Sequence, residues 1–375
     1  ALLTIVPVMS FAADTASFEA ARLAMKAVTD EPTQQSVRAL IEQDGFVAAA
    51  SGSVADRLQA EILETLARST HPIALEYVRS VFESQTERRD EAAFALSLSA
   101  GDRPTDLQDW RFLIRSLSVV EGQQARSVMQ TLARFRQRAT RSSWLRQVIL
   151  LGLTLGPDGQ RDAIRLLEHW TVDFENTPQQ TGDPQLLASW QNWFEARYPD
   201  EPAAILPTDR PDAKWKFAEL NKALAASNAS RDSTERDSIE RGRVAYRKAR
   251  CELCHVKAGV GQKRGPDLNS LGWRLQIKQQ LEAVLFPSHR LNNEEYPAVT
   301  VITLSGRSVT GLIVERRRER LKISDQNGKV HEFSTDEIDE TIPLRTSSMP
   351  DGLLDELTLE EVCDLFAFLD DLQPD

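Results

Sequence analysis

Between residues 15 and 198 the apolar positions recur at helical spacing. Ala74, Tyr77, Val78, Val81 and Phe82 fall at i, i+3, i+4, i+7 and i+8. Ala163, Leu166, Leu167 and Trp170 repeat that spacing, and Leu58, Ile62, Leu63 and Leu66 make a similar stripe. Each stripe predicts an amphipathic helix with one buried face. Breaks at "DEPTQ", "SGSV", "STHP", "AGDRPT", "LGPDG" and "TGDP" limit the helices to about 12–16 residues. From residue 234 the pattern changes. Ile239, Gly242, Ala245 and Tyr246 share one helical face, and Val362, Leu365, Phe366 and Leu369 share another, opened by a Thr358/Glu361 capping box. Between them, "AVTVITL" and "SVTGLIVE" flank Ser-Gly-Arg, and "RLKIS" and "KVHEFS" flank Asp-Gln-Asn-Gly. These read as two β-hairpins with glycine-containing turns, an insertion over 296–342.

In the first half the predicted hairpins of helices repeat every ~35–45 residues, the size of a HEAT-like αα unit stacked into a solenoid. No strict repeat consensus is visible, and an irregular helical bundle is the alternative. "YPDEPAAILPTDRPDAKW" is rich in proline and "AASNASRDST" in small polar residues, so 199–233 reads as a linker. The division expected is 13–198 helical, 199–233 linker and 234–375 a second domain.

At 375 residues the chain has room for two or three domains, and its 41% hydrophobic and 27% charged residues are those of a globular protein. The formal net charge of −11 argues against nucleic acid as the main partner. No long apolar run follows the start, so no transmembrane segment is expected in the mature chain. The start itself, "ALLTIVPVMSFAADTA", reads as the remnant of a secretory signal peptide over 1–12, cut after Ala12; a first apolar helix is the alternative.

The chemistry concentrates in "CELCH", Cys251 to His255, which holds two of the three cysteines and one of the five histidines. A redox dithiol, half a zinc site, a disulfide and a c-type haem attachment site all use Cys-x-x-Cys. Zinc needs further ligands, and there is no second pair; Cys363 stands alone. A thioredoxin-like dithiol sits between a strand and a helix, whereas this pair follows a helical segment. A histidine directly after the pair favours haem: two thiols meet the two porphyrin vinyl groups and the next residue serves as proximal ligand. Export agrees, because c-type haem is attached outside the cytoplasm.

The order of "GRVAYRKARCELCH", "GPDLNSLGWR", "LFPSHRL", "YPAVTVITLSGRSVTGLIV" and "TSSMPDGLLDELTLEEVCDLFAFL" resembles the haem-binding domain of the planctomycete–verrucomicrobial type, a variant of the class I cytochrome c fold. The resemblance covers about residues 235–372 and includes the β-rich insertion. It implies a mainly α protein: a HEAT-like solenoid followed by a class I cytochrome c-like domain carrying one covalent haem c. It further implies thioether bonds at Cys251 and Cys254, His255 as proximal ligand and Met349 as distal ligand. Pro266 would accept the histidine Nδ1–H through its carbonyl, and Trp273 and Arg274 would meet the haem propionates. Met349 is also singled out by its place, as the sole methionine after CELCH and in a Ser-Ser-Met-Pro loop. Its rivals His289, in a polar turn, and His331, in an expected strand, read as surface residues.

Other candidates read as structural: His71 at a helix start, His169 beside a core stripe, the packing aromatics Trp190, Trp193 and Phe194, and Cys363 as a small buried hydrophobe. "ERRRER", residues 315–320, reads as a solvated turn. The function expected is a periplasmic or otherwise exported electron carrier rather than a catalyst. The helical half would be a docking scaffold for a dehydrogenase or oxidase. The alternatives are the electron-accepting end of a larger dehydrogenase, such as one for sugars, and a haem-based sensor.

Overall fold

The computed structural model describes residues 8–48, 53–139, 141–181, 185–229, 235–289, 297–344 and 346–371. The chain is mainly helical with one five-stranded antiparallel sheet, and it divides into two compact units, 1–197 with 203–205, and 198–202 with 206–375. No helix among the described residues is long and apolar enough to cross a membrane.

The first unit holds α1 (Val8–Asp30), α2 (Gln34–Ala48), α3 (Ser53–Ser69), α4 (Pro72–Ser84), α5 (Arg89–Ala100), α6 (Leu107–Ser116), α7 (Gly122–Leu132), α8 (Ser142–Thr154), α9 (Pro157–Trp170), α10 (Pro178–Thr181) and α11 (Leu187–Arg197). Part of the expected leader lies outside the described residues; α1 runs unbroken through Ala12. One continuous row of helices follows from the stripes. α1, α3, α5, α7 and α9 pack each on the next, and α2 packs on α4 alongside. The apolar stripes are the core: Leu58, Ile62, Leu63, Leu66, Val78, Leu166 and Trp170 are buried. Buried aspartates clip neighbouring helices together. Asp44 of α2 takes a bidentate pair from Arg88 at 2.9 and 3.1 Å and a bond from Tyr77 Oη at 2.6 Å. Asp109 of α6, with no exposed surface, takes Arg79 Nε at 3.2 Å and Arg103 Nη2 at 2.7 Å. Asp162 of α9 takes Arg126 Nε at 2.8 Å and Gln130 Nε2 at 3.0 Å.

His71 caps α4 by accepting from the Ile73 amide, and His169 Nε2 lies 2.7 Å from the Phe135 carbonyl, so both are structural. Trp190, Trp193 and Phe194 are buried packing residues.

The segment expected as a linker is built into the two units. Ala203 and Ala204 accept from Arg146 and Gln191 of the first unit. Further on, Trp215 Nε1 donates to Leu354 O at 3.1 Å, and α12 (Phe217–Ala229) buries Leu220 and Leu224 in the second core. Apolar anchors spaced i, i+3 and i+7 (Phe217, Leu220, Leu224) outweigh the prolines before them.

The second unit continues with α13 (Glu235–Lys248), the two-stranded β1 (Val256–Lys257) and β2 (Val260–Gly261), α14 (Leu271–Arg274) and α15 (Ile277–Leu285). After these come β3 (Ala298–Thr303), β4 (Ser308–Arg316), β5 (Arg320–Ser324), β6 (Val330–Ser334), β7 (Ile338–Pro343) and α16 (Leu359–Asp370). α13 lies against α16, with the Thr358/Glu361 capping box formed at the start of α16. Gly242 permits the approach: a Cβ there would overlap the Asp364 carbonyl oxygen and lie 2.7 Å from Phe368 Cβ. Tyr246, Leu281, Leu357, Val362, Phe366 and Phe368 fill the core. Both expected hairpins form, β3–β4 and β5–β6, and β7 adds a fifth strand beside β3, giving the order β6-β5-β4-β3-β7. Val301, Ile323 and Phe333 make the sheet's own core.

Candidate functional site

α13 stops just before the cysteine pair. Arg250 takes a left-handed φ of 61°, which ends the helix, and Cys251–Leu253 form a single 3-10 turn. The His255 amide donates to Cys251 O at 2.9 Å, closing the pentapeptide on itself. Neither cysteine is in a disulfide. Burial pushes the Cys251 thiol up to about 12; its own backbone bond opposes that shift, and Cys254 and Glu252 add to it. The Cys254 thiol is also raised by burial, with Arg264 opposing and Asp325 adding.

His255 is held from several sides. Its Nδ1 lies 2.8 Å from the Pro266 carbonyl, so Nδ1 carries the proton and donates it. Tyr246 Oη donates to the His255 carbonyl at 2.7 Å. Gly265 lies against the ring, so a Cβ there would stand 2.9 Å from His255 Cε1. Burial lowers the imidazole pKa against the opposing pull of the Pro266 bond. The product is a neutral, oriented ring with the Nε2 lone pair left for a ligand.

Beside this ring is a cavity of about 750 Å³, within the range of cofactor sites. Cys251, Cys254, His255 and Met349 all line it, with Leu268, Leu271 and Val284 among its apolar walls. The Met349 loop is tied down: its amide donates to Ser347 Oγ at 3.1 Å, and the Ser347 amide donates to Ser288 Oγ at 3.0 Å. Arg274 lines the cavity and donates through Nη2 to Asp267 O at 2.6 Å. Trp273 is not among the lining residues and is 47% exposed, because the short α14 turns its neighbours Leu271 and Arg274 inward. His289 and His331 are outside the lining too; His331 bonds Asp325 and Arg307 instead. Cys363 is half-buried against the core of the unit.

The residues fit a covalent haem. Two thiols, a neutral imidazole and a thioether converge on one largely apolar cavity, the donor set of His/Met c-type ligation. Among the described residues no group of three or more His, Cys, Asp or Glu side chains could hold a metal ion, so the donors of a tetrahedral zinc site are not assembled there.

Several wall residues carried no signal in the sequence. Gln280, with its Nε2 on Leu275 O and Asp370, lines the cavity. Gln326 and Asn327 reach it from the β5–β6 turn, and Ala298 and Leu312 from β3 and β4. The turn was legible as a turn, but its position against the cavity depends on contacts distant in sequence. No protein-family model matches the chain, and no curated protein matches it.

Proposed function

We propose that the second unit is a class I-type c cytochrome domain of the planctomycete–verrucomicrobial kind, carrying one haem c and passing single electrons to and from a redox protein partner, a dehydrogenase or oxidase. The observation that carries this reading is the convergence of Cys251, Cys254, His255 and Met349 on one cavity. Haem bound there supplies a one-electron couple. The chain's residues supply the rest. Cys251 and Cys254 would anchor the group. His255, its tautomer set by Pro266, would present Nε2. Met349, on a loop pinned by Ser288 and Ser347, would present its thioether. Arg274 would offer charge to a carboxylate at the rim.

If His255 and Met349 both hold the haem iron, they would leave it no site for a substrate or a gas, which favours a carrier over a catalyst or sensor. The first unit, read as a HEAT-like solenoid from the row of helices in which α1, α3, α5, α7 and α9 pack each on the next, would be the docking scaffold, and the protein would work in the periplasm or another exported location. Spectroelectrochemical titration of the purified protein tests the assignment. A carrier gives a single one-electron transition and a reduced form that ignores carbon monoxide. A reduced form that binds carbon monoxide readily overturns it.

A further inference from the structure

The β-rich sheet looks like an appendage in the sequence, yet its β5–β6 turn, residues 325–329, sits on the attachment loop. Gly328 is buried there at φ +75°; a Cβ on it would overlap Arg264 Nη1 and lie 3.5 Å from the Leu253 carbonyl oxygen. Arg264 in turn donates its amide to Cys254 O at 3.0 Å. The turn therefore rests, through one guanidinium, on the middle of CELCH, and the next side chains, Gln326 and Asn327, stand at the cavity's edge.

The turn is stiff. Asp325 Oδ1 accepts from the amides of Asn327 at 2.9 Å and Lys329 at 3.0 Å. Its Oδ2 lies 2.7 Å from His331 Nε2, and His331 Nδ1 lies 2.9 Å from Arg307 Nη2 of the other hairpin. Burial raises the Asp325 carboxyl, but the bonds from His331, Lys329 and Asn327 outweigh it and hold the pKa low. The Asp325 bonds to the Asn327 and Lys329 amides are those of an ordinary tight turn, and the His331–Arg307 contact ties that turn to the other hairpin.

Resting on the haem reading above, we infer that the sheet is part of the cofactor pocket. Its β5–β6 turn is the wall that shields the Cys254 side of the haem from water, with Gln326 and Asn327 as contact residues and Asp325, His331 and Arg307 as the residues that position them. A wall of this kind raises the reduction potential, because excluding water disfavours the more highly charged ferric state.

The test compares three variants in the full holo-protein: Gly328→Val, which pushes the turn off Arg264; Gln326→Ala with Asn327→Ala, which trims two exposed side chains and leaves the fold intact; and Gly306→Val as control. Gly306, in the β3–β4 turn, also has a positive φ, +79°, but its Cβ would meet nothing within 4 Å, so Gly306→Val strains the same sheet away from the cavity. Covalent haem per chain is measured first, then the midpoint potential. The expected result is equal haem content, an unchanged potential in Gly306→Val, and a shift of the reduction equilibrium toward the ferric form of at least threefold in the other two. Threefold corresponds to about 28 mV at 59 mV per tenfold. Unchanged potentials throughout, or an equal fall in Gly306→Val, overturn the inference. If Gly328→Val does not fold, the double alanine variant decides alone. Absence of covalent haem from the wild type is a different result: it refutes the cytochrome reading itself, and this inference falls with it.

Discussion

Gly242→Ala is a small change whose effect is set by the contact between α13 and α16. In an open helix the substitution stabilises by about 1 kcal/mol, through helix propensity. At Gly242 the new methyl would overlap a backbone carbonyl oxygen and lie 2.7 Å from Phe368 Cβ. An ordinary carbon–carbon contact is about 3.5 Å, so clearing Phe368 Cβ alone parts the two helices by roughly 0.8 Å, and clearing the Asp364 oxygen, 2.0 Å from the new methyl, takes more. Neither obstacle is a flexible side-chain end that could swing away. A gap of that size forfeits about a quarter to a half of each dispersion contact it opens, and the face it opens holds the edge-on Tyr246–Phe368 pair, centroids 5.5 Å apart. Overpacking costs about 3 kcal/mol at its upper end, and less the propensity gain this leaves a net loss of about 2 kcal/mol. For a unit of this size that lowers the unfolding midpoint by about 4–8 °C. Scanning calorimetry of the purified protein reads it. Gly45→Ala is the matched control, since a Cβ on Gly45 of α2 would meet nothing within 4 Å, and it should stabilise the first unit. If Gly242→Ala raises the midpoint of the second unit, the close crossing of α13 and α16 is wrong.

Met349→Ala should abolish the weak red-edge charge-transfer band of sulfur-bound ferric haem and let the reduced protein bind carbon monoxide; a wild type that already does so has another distal ligand. Asp109→Ala should destabilise the first unit by about 3–5 kcal/mol, because two guanidiniums lose their shared buried partner. Denaturant titration checks this, and a loss below about 1 kcal/mol would show that water reaches the pair. The Glu361 carboxyl is held below its ordinary 4.5 by Lys248 first and then the Thr358 amide. A depressed folded pKa gives stability that is fully present above pH 4.5 and lost as pH falls through the folded value. Glu361→Gln should therefore flatten the acid limb of the midpoint-against-pH curve and leave the slope near neutrality as it was; an unchanged acid limb refutes the pairing.

The parts of the fold legible from sequence were those governed by local periodicity. Gly242, the Thr358/Glu361 box and the two apolar faces of α13 and α16 read as a crossing pair because each signal lies within a few residues. Residues 199–233 read as a linker for the same reason: four prolines between 199 and 211 are a strong local signal, while the contact of Trp215 with Leu354 spans well over a hundred residues. β7 gives a weak strand signal because "IDETIP" carries two acidic residues in six, as an edge strand with a solvated face can; its membership is decided by pairing with β3, from Val299↔Pro343 to Thr303↔Ile338. At the site, CELCH and Met349 stand out in the sequence because their residue types are rare in this chain and chemically specific, and the structure brings them to one cavity. Trp273 was placed at the cofactor by resemblance, yet the structure leaves it half exposed beside Arg274. The wall formed by Gln326 and Asn327 was hidden, because polar turn residues look alike wherever the turn happens to dock.

Intact mass measurement of the purified protein under denaturing conditions bears most directly on the cytochrome reading. The prediction is one haem retained per chain after unfolding and acid–acetone extraction, and none retained when Cys251 and Cys254 are both replaced by alanine. A wild-type chain that loses all its colour to the solvent, or that exports in soluble form at full length without haem, contradicts the account.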